Sequence, residues 1–264
     1  MSQIKWSIVT STKYTDAHIF VRFLTKLNES IDYKRTEVIF VGENTPLLTL
    51  LDKKVQYHVI EDIEGMPWQA TGRKVANGEY ILLVNNDTIL PKNVLVRFTY
   101  CFEKAGPITT PGAIGIVVPL TNCAKIEFPA EINVQRAIKS NQPSAVEEIQ
   151  TKLDEQPARK KVYTVTGETT NFCMFLHRSV FDLVGDLDPC IKGEVSQATD
   201  YCGRALQQGL YTVLASDIYV YRESKFDEQT AHLITKDYKP FRKTLAIGYR
   251  VKVDTQKDLD ILIQ

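Results

Sequence analysis

The chain has few of the features that assign a protein to a class at a glance. Its five cysteines, Cys101, Cys123, Cys173, Cys190 and Cys202, are odd in number, widely spaced and contain no C-x-x-C pair. That argues against a disulfide framework or a zinc site and predicts buried free thiols in a reducing compartment. The four histidines, His18, His58, His177 and His232, show no ligand spacing. No apolar run approaches the ~20 residues that span a bilayer. The opening residues Met1 to Trp6 carry no apolar stretch of the kind found in secretory leaders. The expectation is therefore a soluble, cytoplasmic protein. An excess of one charge is missing too, since 32 Lys and Arg balance 32 Asp and Glu. Nothing global attracts the chain to nucleic acid or to an anionic membrane.

What is present is enough apolar material for a sizeable core: 44 % of 264 residues. Trp6 to Thr10 reads as a buried strand. From Asp16 to Leu27, the residues Ile19, Phe20, Phe23, Leu24 and Leu27 fall at helical spacing. Glu37 to Val41 predicts a second strand, Leu47 to Leu51 a short helix, and Val55 to Ile60 a third strand. Thr71 to Asn77 predicts a helix stopped by Gly78. Tyr80 to Val84 is the most hydrophobic strand and runs directly into Asn85-Asn86-Asp87. Pro91 opens the next helix, to about Glu103.

Further strands are expected at 114–119, 162–165, 172–176, 211–214 and 218–221. Helices are expected at 179–184 and 200–208, closed by Gly185 and Gly209. Residues 127–160 are rich in charge, Gln and Pro and read as a peripheral insertion or mobile loop. Residues 226–264 read as a terminal helix and tail. Strands alternating with helices predict an α/β, Rossmann-like fold. Its central sheet would be mostly parallel with helices on both faces. Ligands of such sheets bind beyond the carboxyl ends of the strands. Gly42-Glu43-Asn44 and Asn85-Asn86-Asp87 are polar loops in that position.

Residues 78–90, Gly-Glu-Tyr-Ile-Leu-Leu-Val-Asn-Asn-Asp-Thr-Ile-Leu, resemble the strand and metal-binding loop of family 2 glycosyltransferases. The resemblance extends over roughly residues 6–225. Ile114 to Cys123 looks like the family's I-G-x-V-G-P-x-T-N-S segment. Residues 170–188 look like its strand, helix and G-G-x-D run, and Asp200 to Ala205 with Gly209 like the end of its E-D-D-D-F-C-x-R-A block. The resemblance implies the GT-A fold over residues 1–225, with a nucleotide-binding half at 1–125 and an acceptor half at 160–225. It also implies inverting transfer of a sugar from a nucleotide-sugar donor to an acceptor hydroxyl. The acceptor class stays open among glycans, lipid-linked glycans, proteins and small molecules.

In that reading Asp87, helped by the neutral oxygen of Asn85, holds Mn²⁺ or Mg²⁺ against the departing diphosphate. Thr10, Ser11 and Asn86 line the nucleotide-sugar site. A plain polar turn after a strand is the alternative for Asn85 to Thr88. Other positions depart from the family. Gly42 stands where the family often has a base-binding Asp, so Glu43 is either the replacement acceptor or a solvated loop acid. Gln69 and Ala70 stand where a diphosphate-facing Arg and an Asn are usual; nearby Arg73 either supplies the charge or is a surface residue. The E-D pair that supplies the catalytic base falls on Gln197 and Ala198. Asp200 and Glu194 are the nearest carboxylates, and Asp200 is alternatively a helix cap. Arg222 replaces a metal-approaching His and would clamp phosphate instead. These losses keep a second reading open, a non-catalytic relative that binds a nucleotide, a glycan or a protein. A nucleotidyltransferase is disfavoured because Thr10 to Tyr14 has no glycine.

Overall fold

The computed structural model describes residues 4–14, 16–105, 113–122, 142–155, 163–165, 172–191 and 194–223. Side chains are described within these ranges except at 104, 105, 163–165, 194 and 195. Nine strands form one sheet in the order β3-β2-β1-β4-β8-β6-β9-β5, with β7 added beside β9. They are β1 (Trp6–Ser11), β2 (Thr36–Val41), β3 (Gln56–Ile60), β4 (Tyr80–Val84), β5 (Thr88–Ile89), β6 (Ile114–Thr121), β7 (Tyr163–Val165), β8 (Cys173–His177) and β9 (Tyr211–Arg222). The helices, in chain order, are α1 (Ala17–Ser30), α2 (Trp68–Arg73), α3 (Val94–Ala105), α4 (Val146–Asp154), α5 (Arg178–Val184) and α6 (Glu194–Gln207).

The first four long strands are mutually parallel, β1 pairing with both β2 and β4 and β2 with β3. That is the α/β pattern expected from alternating elements. The second half is mixed. β8 runs antiparallel to β4 and β6, and β9 runs parallel to β6 but antiparallel to β5 and β7. Neighbouring residues of each central strand face opposite sides, as pleating requires. Ile8, Val38 and Leu82 join one core cluster with Phe20, Phe23, Leu24 and Leu27 of α1 and with Leu95, Phe98 and Phe102 of α3. Val9, Ile39 and Leu83 join the other with Ile149 and Leu153 of α4, Phe181 of α5 and Tyr201 and Ala205 of α6. Each fully buried Val, Leu, Ile or Phe among them contributes about 1.5–3 kcal/mol relative to exposure. Both faces of the sheet are thus covered, as the continuous apolar strands implied.

Several expectations need correction. The helix expected at 71–77 is α2 at 68–73, drawn toward its start by close packing. A Cβ at Gly72 would lie 2.2 Å from Val9 Cγ1 and 3.0 Å from Val41 Cγ2, so glycine lets α2 sit on β1 and β2. The two strands expected at 211–214 and 218–221 are one, β9, carried through by a register shift against β6 between Pro119 and Leu120. The helix expected to start at Asp200 begins at Glu194, so Asp200 is interior and not a cap. Residues 142–155, placed in the peripheral insertion, contain a helix docked on the sheet. Val146, Ile149 and Leu153 of α4 are buried, while Gln150 donates to Asp217 O at 2.8 Å and accepts from Tyr219 N at 3.0 Å. The remainder of 127–160, and the helix and tail expected at 226–264, lie outside the described residues. Among the described cysteines, Cys101, Cys173 and Cys202 are buried free thiols, and Cys190 is free but exposed.

Candidate functional site

The carboxyl ends of β1, β2, β3, β4, β6 and β9 gather at one end of the sheet, together with the start of antiparallel β8. This mouth is where an α/β sheet takes its ligands. The loop Asn85-Asn86-Asp87 leaves β4 there and is tied to its neighbours by hydrogen bonds. Asn85 N donates to Phe172 O at 2.7 Å. The Asn86 amide donates to Ser11 O and to Lys13 O, each at 2.8 Å, clipping the β1 loop to the β4 loop. Asp87 O accepts from Glu223 N at 2.8 Å, and Thr88 pairs with Arg222. The chain therefore fixes the Asp87 backbone from both sides.

The Asp87 carboxylate is used only in part. Its Oδ2 accepts from Arg222 Nε at 2.9 Å, and the pair is buried, with side chains 12 % and 11 % exposed. Asp87 Oδ1 is buried with no hydrogen-bond partner. Arg222 is itself held in place. Asn122 accepts from Arg222 N and donates to Arg222 O, both at 2.8 Å, and the guanidinium lies 5.4 Å from the Phe172 ring centroid. Next to it, Glu223 repeats the arrangement. Its Oε2 accepts from Arg22 Nη1 of α1 at 2.6 Å, and its Oε1 is buried without a hydrogen-bond partner. Burial raises the Glu223 carboxyl above its ordinary range; Arg22 opposes this, and the charges of Asp87 and Asp16 reinforce it. A buried acceptor left without a donor costs about 1–3 kcal/mol. Two such oxygens lie at the mouth of one sheet, where an α/β fold takes its ligands.

The sequence pointed to Asp87 and Arg222 separately, and the structure brings them into contact. It adds Asn122, Glu223 and Arg22, which were not singled out. Asn122 had a signal in the Thr-Asn-Cys segment, and Glu223 directly follows Arg222, but the 201-residue separation of Arg22 from Glu223 left no local trace.

On the β1–β3 side, Thr10 is fully buried with an unpartnered Oγ1, and Ser11 Oγ accepts from Lys13 N at 3.0 Å. Gly42 has φ +127°, and a Cβ there would stand 2.4 Å from Thr12 Oγ1. The backbone thus favours glycine, and an Asp at this position would be strained. Glu43 beside it is exposed. Lys13 instead pairs with Asp62 at the end of β3, and that hydrogen bond, the charge of Asp62 and the charge of Glu43 raise the Lys13 pKa.

The remaining candidates sit on the other face. Gln69 is buried in α2. Arg73 reaches Asp186 at 2.9 Å and stacks over Phe181 at 5.0 Å, on the α5–α6 side. Asp200 Oδ2 is gripped by Arg204 through Nε at 2.9 Å and Nη2 at 2.8 Å. Arg204 also donates to Val184 O and Asp186 O, so this pair fastens the α5–α6 connection. Because β9 runs from the far edge up to the mouth, α6 before it descends from the mouth. Glu194 is at its upper end and Asp200 about 9 Å lower. The Glu194 side chain lies outside the described residues.

Among the described residues no group of three or more His, Cys, Asp or Glu is placed to hold a metal ion. No described helix is long and apolar enough to cross a membrane. No family model and no curated protein matches the chain. Solved structures do match. The mannosyltransferase PcManGT from Pyrobaculum calidifontis, in complex with GDP-Man and Mn²⁺, superposes with a TM-score of 0.53 at 13 % identity over 84 % of this chain and 57 % of its own. S. aureus TarS 1–349 in complex with UDP gives 0.52 at 14 % identity over 88 % and 64 %. Its complex with UDP-GlcNAc gives 0.56 at 14 % identity over 98 % and 70 %. The chain thus has the fold of these glycosyltransferases, and it spans less than two thirds of the first two, 57 % and 64 %.

Proposed function

We propose that the chain is a nucleotide-sugar-dependent glycosyltransferase that moves a sugar to an acceptor hydroxyl with inversion, assisted by Mn²⁺ or Mg²⁺. The observation that carries the reading is Asp87 Oδ1, a buried carboxylate oxygen without a partner at the mouth of the sheet. It fits a hard cation, which completes its shell with phosphate oxygens and water. When bound, that cation would neutralise charge on the departing diphosphate. Arg222, fixed by Asp87, Asn122 and Phe172, adds a second positive charge that needs no metal. Asn86 holds the β1 and β4 loops together, and Thr10, Ser11 and Asp87 on them would line the donor site. Glu43 and Asp62 are the acceptors available to a nucleobase at the ends of β2 and β3. The fold shared with structures carrying GDP-Man, UDP and UDP-GlcNAc supports this class of donor. For the base that takes the acceptor proton, Glu194 and Asp200 remain the candidates on α6.

A second reading has its own observation. By the motif resemblance the catalytic acid pair falls on Gln197 and Ala198, and Ala198 is fully buried. With Asp200 gripped by Arg204, the chain would then bind a nucleotide, glycan or protein without turnover. Donor hydrolysis with Mn²⁺, read as release of UDP or GDP from UDP- and GDP-sugars, separates the two. Turnover that falls about a hundredfold or more in Asp87→Ala supports the enzyme. Nucleotide binding with no turnover for any donor supports the second reading.

A further inference from the structure

This inference rests on the reading that the mouth takes a nucleoside diphosphate with a divalent cation. We propose that Glu223 is the second carboxylate of that cation site, opposite Asp87, and that the site closes only around the diphosphate. The backbone places the two residues side by side. Glu223 N donates to Asp87 O at 2.8 Å, one residue past the Thr88–Arg222 pairing. Their side chains are 8 % and 12 % exposed, so neither carboxylate is solvated in the ordinary way. Each has one oxygen pinned by an arginine, Arg222 on Asp87 Oδ2 at 2.9 Å and Arg22 on Glu223 Oε2 at 2.6 Å. Each has its other oxygen buried and without a hydrogen-bond donor.

The pattern fits a cation better than a structural ion pair. A guanidinium satisfying a buried carboxylate commonly takes both oxygens in a fork. Here two arginines each take one oxygen and hold the carboxylate by it, which leaves Oδ1 and Oε1 to a third party. Oxygen donors of this hardness select Mg²⁺ or Mn²⁺ over softer metals. Two carboxylates are too few to hold such an ion alone, and no third His, Cys, Asp or Glu joins them among the described residues. Ions of this kind are ordinarily held by one or two carboxylates plus substrate phosphates and water. Arg22 and Arg222 act as positioning residues, and Arg22 ties the site to α1.

The test measures Mn²⁺ uptake by the full chain, counting free Mn²⁺ by electron paramagnetic resonance, with and without UDP or GDP. Wild type should take up Mn²⁺ far more tightly with the nucleotide than alone. Glu223→Gln should weaken that nucleotide-dependent uptake roughly tenfold or more, the scale on which metal-site residues act. Its UDP or GDP binding in EDTA should not weaken, since a charge that repels the diphosphate is lost. Glu223→Asp keeps the charge on a shorter stem and should also lose Mn²⁺ affinity; it carries the test if the glutamine variant does not fold. Wild-type Mn²⁺ affinity in a folded Glu223 variant overturns the proposal and leaves the diphosphate reading standing. Failure of wild type to bind UDP or GDP, with or without Mn²⁺, overturns both.

Discussion

Glu37, near the amino end of β2, and the pair Asp87 and Glu223, at the carboxyl end of the sheet, are all buried carboxylates, yet their oxygens are used differently. Glu37 is 2 % exposed and both its oxygens are occupied. Oε1 accepts from Ser7 Oγ at 2.6 Å and from Asn77 N, and Oε2 accepts from Asn77 Nδ2 at 3.2 Å. Ser7 Oγ in turn accepts from Gly78 N at 2.7 Å, so Glu37 stitches the entries of β1, β2 and β4 together. At the mouth, Asp87 and Glu223 each keep one buried oxygen without a donor. Buried polar groups are nearly always satisfied, and the exceptions call for an explanation. The carboxylate at the amino end is satisfied by the protein's own donors, whereas those at the mouth each keep an oxygen able to take a ligand.

Removing Glu37 should produce the largest change in stability. Glu37→Ala leaves the Ser7 hydroxyl and the Asn77 amides without their acceptor, which should cost about 3 kcal/mol or more. Urea unfolding would read this, and nucleotide binding by the folded protein should be unaffected. The contrast fails if Asp87→Asn lowers stability as much as Glu37→Ala does, since Asp87 would then be equally structural.

Gly42 sharpens the mouth side of the comparison. Its φ of +127° and the 2.4 Å approach of a Cβ to Thr12 Oγ1 make any side chain there costly. Gly42→Ala and Gly42→Asp should therefore each lose about 2 kcal/mol, by the same steric route. If only the aspartate destabilises, charge and not the backbone decides the residue at that turn. The acid that many family 2 members carry at this point is thus not merely absent. The backbone of the loop disfavours it.

How much of this was legible in the sequence follows from what each feature depends on. Tyr80–Val84 matched its observed bounds because five consecutive apolar residues ended by Asn-Asn-Asp leave little freedom. The face of α1 was readable from the spacing of Phe20, Phe23, Leu24 and Leu27. The start of α6 was not readable, because Val195 is the one apolar residue from Glu194 to Gln197, too little to set a helical period ahead of Ala198 and Tyr201. Docking of α4 was hidden because Gln150, polar in sequence, is buried by its bonds to β9. At the site, Asp87 and Arg222 were legible through a resemblance to known motifs. Their contact, and the role of Arg22 and Glu223, depend on a β5–β9 pairing of two residues each that no local pattern announces.

The smallest effect is expected at His58, and it tests what holds Glu37. The imidazole Nε2 lies 3.7 Å from Glu37 Oε2, and its side chain is 59 % exposed. An ion pair so long and so solvated should contribute less than about 0.5 kcal/mol. His58→Gln should therefore leave the urea midpoint almost unmoved. A loss comparable to that of Glu37→Ala would mean that Glu37 is held chiefly by a charge partner and not by Ser7 and Asn77. The amino end of the sheet would then also depend on a charged partner, and the contrast with Asp87 and Glu223 would become one of which cation each end uses.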